Sequence, residues 1–560
     1  MAGKRRADVS RRRLIRAAGG TVAGVAVVGG GTVTAMATGV LDDPTPVDPF
    51  AGMPKSLALD LPGQPHYAGL TELPDPLAEG TVTAPSRRIP YETAMPNPSA
   101  VAAAVPTTLP FTFKMSGYRI VEDVPDEMQP WRDLIVPRVD TGLHDAAGVR
   151  MFKAANGRVY NHPVAQLQYG LSNLNTWRRT RDSFYLDRAR AQAERLIDTR
   201  VEARGAWYFP YPFDYSGGAH TSVRYTGPWY SGMAQGEALS FFAQLAQIDI
   251  IPEDARTLYK AAADGAFGSM LRGTDGKPWV VAKDSKGYLW IQEYPGATPE
   301  TSDFTYNGFL FALLGLWDYF KLTGNPLAQQ LFDGSLTTIY AHFTPIRNKG
   351  WISYYCVPHR LPNDKYHNIH IELLRQMQWL SGSTRSAYLS DVLMDDYPTP
   401  KMPVSGNVAM AAGTHTLYRF DGNGAVTATK KLTVNSATQA PTKTRVRIKG
   451  RGVHYLITAG TAKDWYIAES FPRVFLRGQW FTSTYMPRRV ATFPKGISIT
   501  CYKFATNGAT GATKTVKFAG DSNAPFDVRA IVNGRPMVRI TAGALKDYWA
   551  PCSQVLTDGR

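Results

Sequence analysis

Cysteine is scarce in this chain, with three residues among 560: Cys356, Cys501 and Cys552. Thiols so few and so widely spaced exclude a disulfide framework and a thiolate zinc site, and with them the redox-motif and zinc-finger classes. Cys501 and Cys552 lie in one C-terminal unit and can pair in an oxidising compartment. Two unpaired buried thiols are an equal alternative.

Long hydrophobic runs are missing as well. Outside the amino terminus no apolar run reaches the roughly 18 residues that a membrane-spanning helix needs, which excludes a multi-pass membrane protein. The chain also lacks a G-x-G-x-x-G loop after a strand and a G-x-x-x-x-G-K-[ST] loop, so we expect no cofactor. The hydrophobic content of 44% and the aromatic content of 11% exclude general disorder. A chain of this length predicts two or three domains.

The first 40 residues have the features of an export signal. An arginine-rich segment (residues 10–16, SRRRLIR) precedes a stretch rich in Gly, Ala and Val, and Ala35-Met36-Ala37 supplies the small residues of a cleavage site. The paired arginines before a weakly apolar segment resemble the twin-arginine type, which implies a bacterial protein exported after folding. The alternative is an uncleaved membrane tether. In either case the remaining domains face outward.

Charge is distributed unevenly along the chain. The net charge is +16, of which residues 1–40 carry +6, residues 41–400 carry −6 and residues 401–560 carry +16. An exported protein is not expected to meet nucleic acid. We therefore expect the basic tail to hold a cell-wall glycan or another anionic envelope polymer through many salt-sensitive contacts. A basic surface that only confers solubility is the alternative.

Composition divides the rest of the chain into segments. Residues 41–110 are rich in Pro, Ala and Thr and predict a disordered spacer, and residues 398–410 predict a proline-rich linker. Between them, residues 111–397 form one predicted domain with sparse strand signals. Its paired helices, joined by aromatic and Pro/Gly-rich loops, predict an α/α toroid. Apolar residues recur at helical spacing in these segments: 184–199, 231–248, 254–270, 307–322, 327–342, 369–380 and 384–394.

The tail differs in kind, because Val, Thr, Ile and Tyr alternate with polar residues between Gly and Asn turns. It is also duplicated, since the strings YRF, ATK and ITAG recur as YKF, ATK and ITAG 83 to 84 residues later. We expect two small all-β repeats, residues 411–485 and 486–560, whose G-x-x-K-D-[WY] turns resemble bacterial SH3-like wall-binding repeats. A structural appendage or a dimerisation module is the alternative. The expected fold class of the whole chain is mainly α.

Four segments of residues 111–397 are unusually dense in aromatic and polar residues, and together they carry a family resemblance. Their order resembles the catalytic domain of the D-glucuronyl C5-epimerase family, enzymes that convert D-glucuronic to L-iduronic acid units within polysaccharides. The resemblance spans about residues 111–393. The strings that carry it are QYGLS (168–172), WYSGMAQG (229–236), EYP (293–295) with NGFLFALLGLWD (307–318), and YHNIH (366–370).

The resemblance implies an α/α-barrel domain that acts on polymer-linked uronic acid, with four catalytic residues. The family's catalytic glutamate and the tyrosine after it match Glu293 and Tyr294. Its late tyrosine before a histidine matches Tyr366. A further site tyrosine matches Tyr355, where the family's usual YDL is replaced by Tyr355-Cys356-Val357.

The chemistry explains why a site of this kind needs these residue types. Removing the C5 proton of a uronate places negative charge beside a carboxylate, so cations or phenolic donors must stabilise the intermediate. Inversion requires a second group that delivers a proton from the opposite face. Glu293 and Tyr366 are the natural pair. Arg224 and His367 are candidates for a nearby cation.

Further residues of the aromatic segments suit sugar binding, although such clusters also form hydrophobic cores. The H-x-x-H spacing of His367 and His370 can bind a metal, but no third ligand is evident in the sequence, so we expect no metal site. The candidate substrate-binding residues are Gln168, Tyr208, Tyr211, Arg224, Trp229, Tyr230, Asn307 and His367.

Three other functions compete with an epimerase. A polysaccharide lyase begins with the same proton abstraction and then expels the C4 oxygen. A glycoside hydrolase needs a second carboxylate opposite Glu293, for which Asp214, Glu237 and Asp303 are available. A wall-binding protein without activity needs only the tail.

The resemblance also has departures. Animal members carry a β-rich segment that this chain lacks between the QYGLS string and the helical domain, so the expected substrate is an anionic uronate polysaccharide without specified sulfation. The resemblance makes a homodimer plausible.

Overall fold

The computed structural model describes residues 108–216, 224–397, 401–422, 424–448, 451–505 and 507–558. The predicted export signal, nearly all of the predicted spacer and three residues of the predicted linker lie outside these ranges. Among the described helices, none combines the length and the apolar character that crossing a membrane requires.

The helices lie between Pro163 and Asp396. Short polar side chains begin several of them: Ser231, Asn325 and Asn363 each accept a hydrogen bond from a backbone N–H of the first helical turn. The helices of the described residues are α1 Pro163–Thr180, α2 Ser183–Thr199, α3 Gly232–Ala246, α4 Glu253–Met270, α5 Tyr306–Thr323, α6 Pro326–Ala341, α7 Phe343–Ile346, α8 Asp364–Ser381 and α9 Thr384–Asp396.

Helices α1, α3, α5 and α8 pack in sequence, each against the next, and each also packs against the helix that follows it closely in the chain (α2, α4, α6 and α9). The contact between α3 and α5 is very close. A Cβ atom on Gly236 would lie 2.3 Å from Ala312 Cα, and one on Gly315 would lie 1.8 Å from the Gly236 carbonyl oxygen. Only glycine permits this approach, which explains two glycines inside helices.

The seven helices predicted from apolar spacing are confirmed, with small shifts of their ends. Helix α1 was not predicted. Two-stranded ribbons lie among the helices, in the domain whose strand signals are sparse: β1 Met151–Lys153 with β2 Val159–Asn161, β3 Val201–Ala203 with β4 Ala206–Tyr208, β5 Tyr215–Ser216 with β6 Arg224–Tyr225, and β7 Val281–Lys283 with β8 Leu289–Ile291.

Two seven-stranded antiparallel sheets follow the helices. Their strand orders are β11-β10-β14-β13-β12-β9-β15 and β18-β17-β21-β20-β19-β16-β22, which are the same order with every strand number raised by seven. The strands are β9 Lys401–Met410, β10 Gly413–Phe420, β11 Val426–Val434, β12 Thr438–Ile448, β13 Gly452–Ile457, β14 Tyr466–Ala468, β15 Val474–Arg477, β16 Gln479–Phe493, β17 Ile499–Phe504, β18 Thr510–Val516, β19 Ser522–Val532, β20 Arg535–Ile540, β21 Trp549–Pro551 and β22 Leu556–Thr557.

The expectation of a mainly α protein is wrong. Helix accounts for about 34% and strand for about 29% of the structure. The two C-terminal sheets supply the difference, because their strands are long: β16 alone has 15 residues and β12 and β19 have 11 each. A tail of small modules with short strands was expected from the dense Gly and Asn turns. The turns are present, but the residues between them are almost all paired.

Buried charges hold the second sheet against the helices. Arg489 on β16 donates to Asp391 of α9 over 2.7 Å, and Arg529 on β19 donates to Asp395 of the same helix over 2.6 Å. Arg489 is fully buried and also binds Asp558 near the C-terminus. Charges removed from water require such partners. The helices and the second sheet are therefore packed as one structure along α9.

Cys501 and Cys552 are not joined by a disulfide in this structure.

Candidate active site

The candidate site lies where the amino ends of helices α3, α5 and α8 meet the end of strand β8. Glu293 comes two residues after this strand, and the preceding Gln292 accepts a backbone hydrogen bond from Gly232, the first residue of α3. Asn307 is the second residue of α5, and Tyr366 is the third residue of α8. The partial positive charge of helix amino ends favours negative charge here.

Glu293 is the central carboxyl group of the site and is almost completely buried. The Tyr355 hydroxyl donates to both of its oxygens at 3.3 Å, and the Asn307 amide donates to Oε2 at 3.4 Å. Burial raises the pKa of Glu293 to about 7, the Asp303 charge adds to this, and the hydroxyl groups of Thr305 and Tyr294 partly offset it. A carboxyl group that titrates near neutral pH can both take and return a proton.

Gly308 leaves the space that the Glu293 side chain fills. A Cβ atom at this position would lie 2.2 Å from Glu293 Oε2 and 2.6 Å from its Cδ. Contacts this short do not occur between real atoms, so any other residue at 308 would displace the carboxyl group. Gly308 is therefore a positioning residue for Glu293.

Tyrosines surround the carboxyl group. The Tyr366 ring lies 4.5 Å from the Tyr355 ring, and the Tyr294 ring stacks on Tyr215 at 5.6 Å. Burial raises the pKa of Tyr215, Tyr294 and Tyr355 well above 10, and the Glu293 charge adds to each. These three phenols therefore stay protonated at neutral pH and act as hydrogen-bond donors.

An aromatic wall extends from this group of tyrosines. Trp229 stacks on Tyr211 at 4.0 Å and lies within 6 Å of both Tyr215 and Tyr294. Beyond it, a small cleft opens beside Tyr225. The cleft is lined by Tyr225, Trp229, Tyr230, Lys277, Pro278, Trp279, Pro295 and Gly296. The site therefore adjoins an opening with an aromatic lining and one lysine.

His367 lies at the start of α8, where both of its ring nitrogens bond to the backbone of the protein. Its Nδ1 accepts from the Ser353 amide at 2.9 Å, and its Nε2 donates to the Tyr397 carbonyl at 2.8 Å. Burial lowers its pKa to about 4. The ring is therefore neutral at physiological pH and does not supply a cation for substrate. It joins two loops and positions the start of α8.

Three more of the predicted binding residues lie in different parts of the domain. The Tyr208 hydroxyl donates to the Pro278 carbonyl and its ring packs on Tyr230, so it supports the cleft from behind. Gln168 donates to Glu237 at 2.7 Å in the interior. Arg224 is exposed on the β5–β6 ribbon, next to Tyr225 of the aromatic wall.

Several residues of this site were not among the predicted site residues. The rings of Tyr215 and Tyr225 pack against the Tyr294 ring, and the Thr305 hydroxyl bonds to Glu293. Gly308 leaves the space that the Glu293 side chain occupies. Burial raises the pKa of Glu237 well above its usual value, and the Glu293 charge adds to this, so it is a second, neutral carboxyl group nearby. Tyr215 ends a stretch of the sequence that is rich in aromatic residues (207–215, WYFPYPFDY). No sequence signal separates it from core residues.

Comparisons with known proteins agree with this geometry. Residues 202–394 match the family model of the D-glucuronyl C5-epimerase C-terminus. The matched range contains Glu293, Tyr294, Tyr355 and Tyr366. The D-glucuronyl C5-epimerase of Caenorhabditis elegans is 27% identical over 219 residues, which are 36% of this chain and 33% of that protein.

An uncharacterized protein of Methanocaldococcus jannaschii is 35% identical over 101 residues, which are 18% of this chain and 30% of that protein. The matched segments thus span about a third of the length of these relatives. The family match and the C. elegans relative support a relationship to the D-glucuronyl C5-epimerase family for the segment that holds the site.

Proposed function

We propose that this protein inverts C5 of D-glucuronosyl units in an anionic polysaccharide and so produces L-iduronosyl units. The observation that carries the proposal is Glu293, a buried carboxyl group with a pKa of about 7 that is surrounded by protonated tyrosines. Its position within the range that matches the epimerase family supports the same conclusion.

The reaction removes the proton from one face of C5, adds a proton to the opposite face and changes no oxidation state. A base takes the C5 proton, the C5–H electron pair passes into the neighbouring carboxylate as an enediolate, and an acid then delivers a proton to the opposite face. We assign the two groups to Glu293 and Tyr366, which both approach Tyr355. A carboxyl group with a pKa near the working pH is well matched to such a step.

The enediolate carries more negative charge than the substrate, so its stabilisation decides the rate. Tyr355, Tyr294 and Tyr215 are suited to this role because their raised pKa values keep the hydroxyl protons in place as donors. The amino ends of α3, α5 and α8 add partial positive charge. Arg224 lies beside the aromatic wall and is the proposed cation for a substrate carboxylate.

Further proposals concern the remaining segments. We place the catalytic domain at residues 111–397, and we propose export through the amino-terminal signal and binding of a cell-wall glycan or polyanion by the basic tail.

Not all of the positive charge of the tail is available for binding a polyanion. Arg445, Arg489 and Arg529 are buried, and each pairs with an acidic residue of the protein. Binding must therefore use the exposed lysines and arginines.

The experiment uses the protein lacking residues 1–40 with unsulfated glucuronate polymers in heavy water. Epimerisation predicts deuterium at C5, iduronate signals in the NMR spectrum and unchanged chain length. We expect Glu293→Gln and Tyr366→Phe to abolish the exchange. Glu300→Gln changes an exposed glutamate on the following turn and should leave the exchange unchanged. Shortened chains with unsaturated ends would identify a lyase instead. Exchange that survives both site substitutions would refute the assignment of these residues.

A further inference from the structure

A second group of reactive side chains lies close to the candidate site. Asp303, Cys356 and His359 are all buried, and their ligand atoms lie within 4.8 Å of one another. His359 Nδ1 is 2.8 Å from Asp303 Oδ1 and 3.3 Å from Cys356 Sγ. A carboxylate, a thiol and an imidazole therefore converge on one point in the interior.

Hydrogen bonding does not account well for both contacts of His359. One nitrogen, Nδ1, faces the carboxylate and the sulfur, and an imidazole nitrogen either carries one proton or offers one lone pair. If Nδ1 carries the proton, it donates to the carboxylate and cannot accept a hydrogen bond from the thiol. A lone pair on Nδ1 accepts from the thiol but faces the carboxylate lone pairs. A cation attracts all three donor atoms at once.

The donor set indicates which cation fits. Sulfur, nitrogen and carboxylate oxygen together favour borderline metal ions such as Zn²⁺, whereas Ca²⁺ and Mg²⁺ prefer oxygen alone. Tetrahedral zinc with bonds of about 2.0–2.3 Å places its ligands about 3.3–3.7 Å apart. The sulfur–nitrogen separation of 3.3 Å must widen by a few tenths of an ångström, and the nitrogen–oxygen separation of 2.8 Å must widen by about half an ångström.

The backbone presents the three side chains from two loops that are joined to each other. Thr305 pairs with Cys356 as a β-bridge, and the Tyr306 amide donates to the Tyr355 carbonyl at 3.1 Å. Phe304, directly after Asp303, has a φ of 48°, and Arg360, directly after His359, has a φ of 49°. Residues other than glycine rarely adopt this backbone conformation, and strained positions of this kind cluster at functional sites.

We propose that Asp303, Cys356 and His359 bind one zinc ion, which fastens the loop that follows Glu293 to the loop that carries Tyr355. Cys356 and His359 are three positions apart in the sequence, but Asp303 lies more than fifty positions before them, so no short motif contains all three residues. Zinc binding does not depend on the proposed epimerase activity, so either can fail without the other.

The test uses the protein lacking residues 1–40, with Cys501 and Cys552 both changed to serine so that Cys356 is its only thiol. After removal of metals with a chelator, the protein is dialysed against zinc chloride and its zinc content is measured. We expect one zinc per chain and a higher melting temperature. Cobalt chloride should produce the near-ultraviolet absorption of a thiolate–cobalt bond, which reports on Cys356 without a substitution there.

We expect zinc binding to weaken about 100-fold or more in each of three variants, Cys356→Ser, His359→Ala and Asp303→Asn. His342→Ala is the matched control, because His342 also pairs with a carboxylate, the partly exposed Asp284, at 3.0 Å. It should leave the zinc content unchanged. Absence of bound zinc, cobalt binding without thiolate absorption, or full zinc content in Cys356→Ser would each overturn the proposal.

Discussion

Glu293 is predicted to destabilise the folded protein at neutral and alkaline pH. Its burial penalises the ionised carboxylate, which is why its pKa lies near 7 rather than at the usual 4.5. Replacing it by glutamine keeps the shape and a hydrogen-bond acceptor for Tyr355 but removes the ionisation. We therefore expect Glu293→Gln to be inactive and, above pH 7, more stable than the wild-type protein.

The pKa shift gives both the size and the pH range of the effect. A rise from 4.5 to about 7 corresponds to about 3 kcal/mol at about 1.4 kcal/mol per pKa unit. Below pH 4.5 the group is protonated in the folded and the unfolded chain, so Glu293→Gln has no advantage. Between pH 4.5 and 7 the unfolded chain ionises first, and the folded wild-type protein loses relative stability. Above pH 7 the full difference is present.

The assay is urea unfolding of the helical part, followed by far-ultraviolet circular dichroism at pH 5 and pH 8 in metal-free buffer. Glu300→Gln is the control, because Glu300 is exposed and its pKa is lowered rather than raised, by hydrogen bonds to its own amide and to Thr298. The stability gained by Glu293→Gln should be several times larger at pH 8 than at pH 5. A gain that is equal at both values, or a loss at pH 8, would refute the reasoning.

Three further substitutions test other contacts. Tyr355→Phe removes the phenol that donates to Glu293 and should lower kcat about 100-fold or more, measured by deuterium exchange at C5, with little change in melting temperature. Gly308→Ala places a methyl group 2.2 Å from the Glu293 carboxylate and should also lower kcat about 100-fold. Asp391→Asn removes one of the two carboxylates that pair with the buried Arg489 and should lower the free energy of unfolding by up to about 3–5 kcal/mol.

Each of these has a matched control. Tyr354→Phe changes the neighbouring phenol, Gly520→Ala adds a methyl group with nothing within 4 Å, and Asp527→Asn alters a more exposed ion pair with Arg539. All three controls should behave like the wild-type protein. If a control and its partner have the same effect, the contact in question does not explain it.

Helix positions were predictable because helix formation is local. The spacing of apolar residues predicted a helix over 254–270, and α4 is Glu253–Met270. Helix α1 was missed for a physical reason: its first 15 residues are all buried, including several glutamines and asparagines, so it has no polar face to produce a periodic pattern. The fold class was wrong because strand length depends on pairing with distant strands.

The sequence by itself indicated the residues that we propose for the chemistry, because the motif strings that contain Glu293 and Tyr366 are short and occur in order. Tertiary structure alone decided what each of them touches. In the folded chain His367 donates a hydrogen bond to the Tyr397 carbonyl. The side chains of Asp303, Cys356 and His359 lie close to one another. The reason is that a side chain's charge state and partners depend on burial and on residues far away in the chain, which no local pattern records.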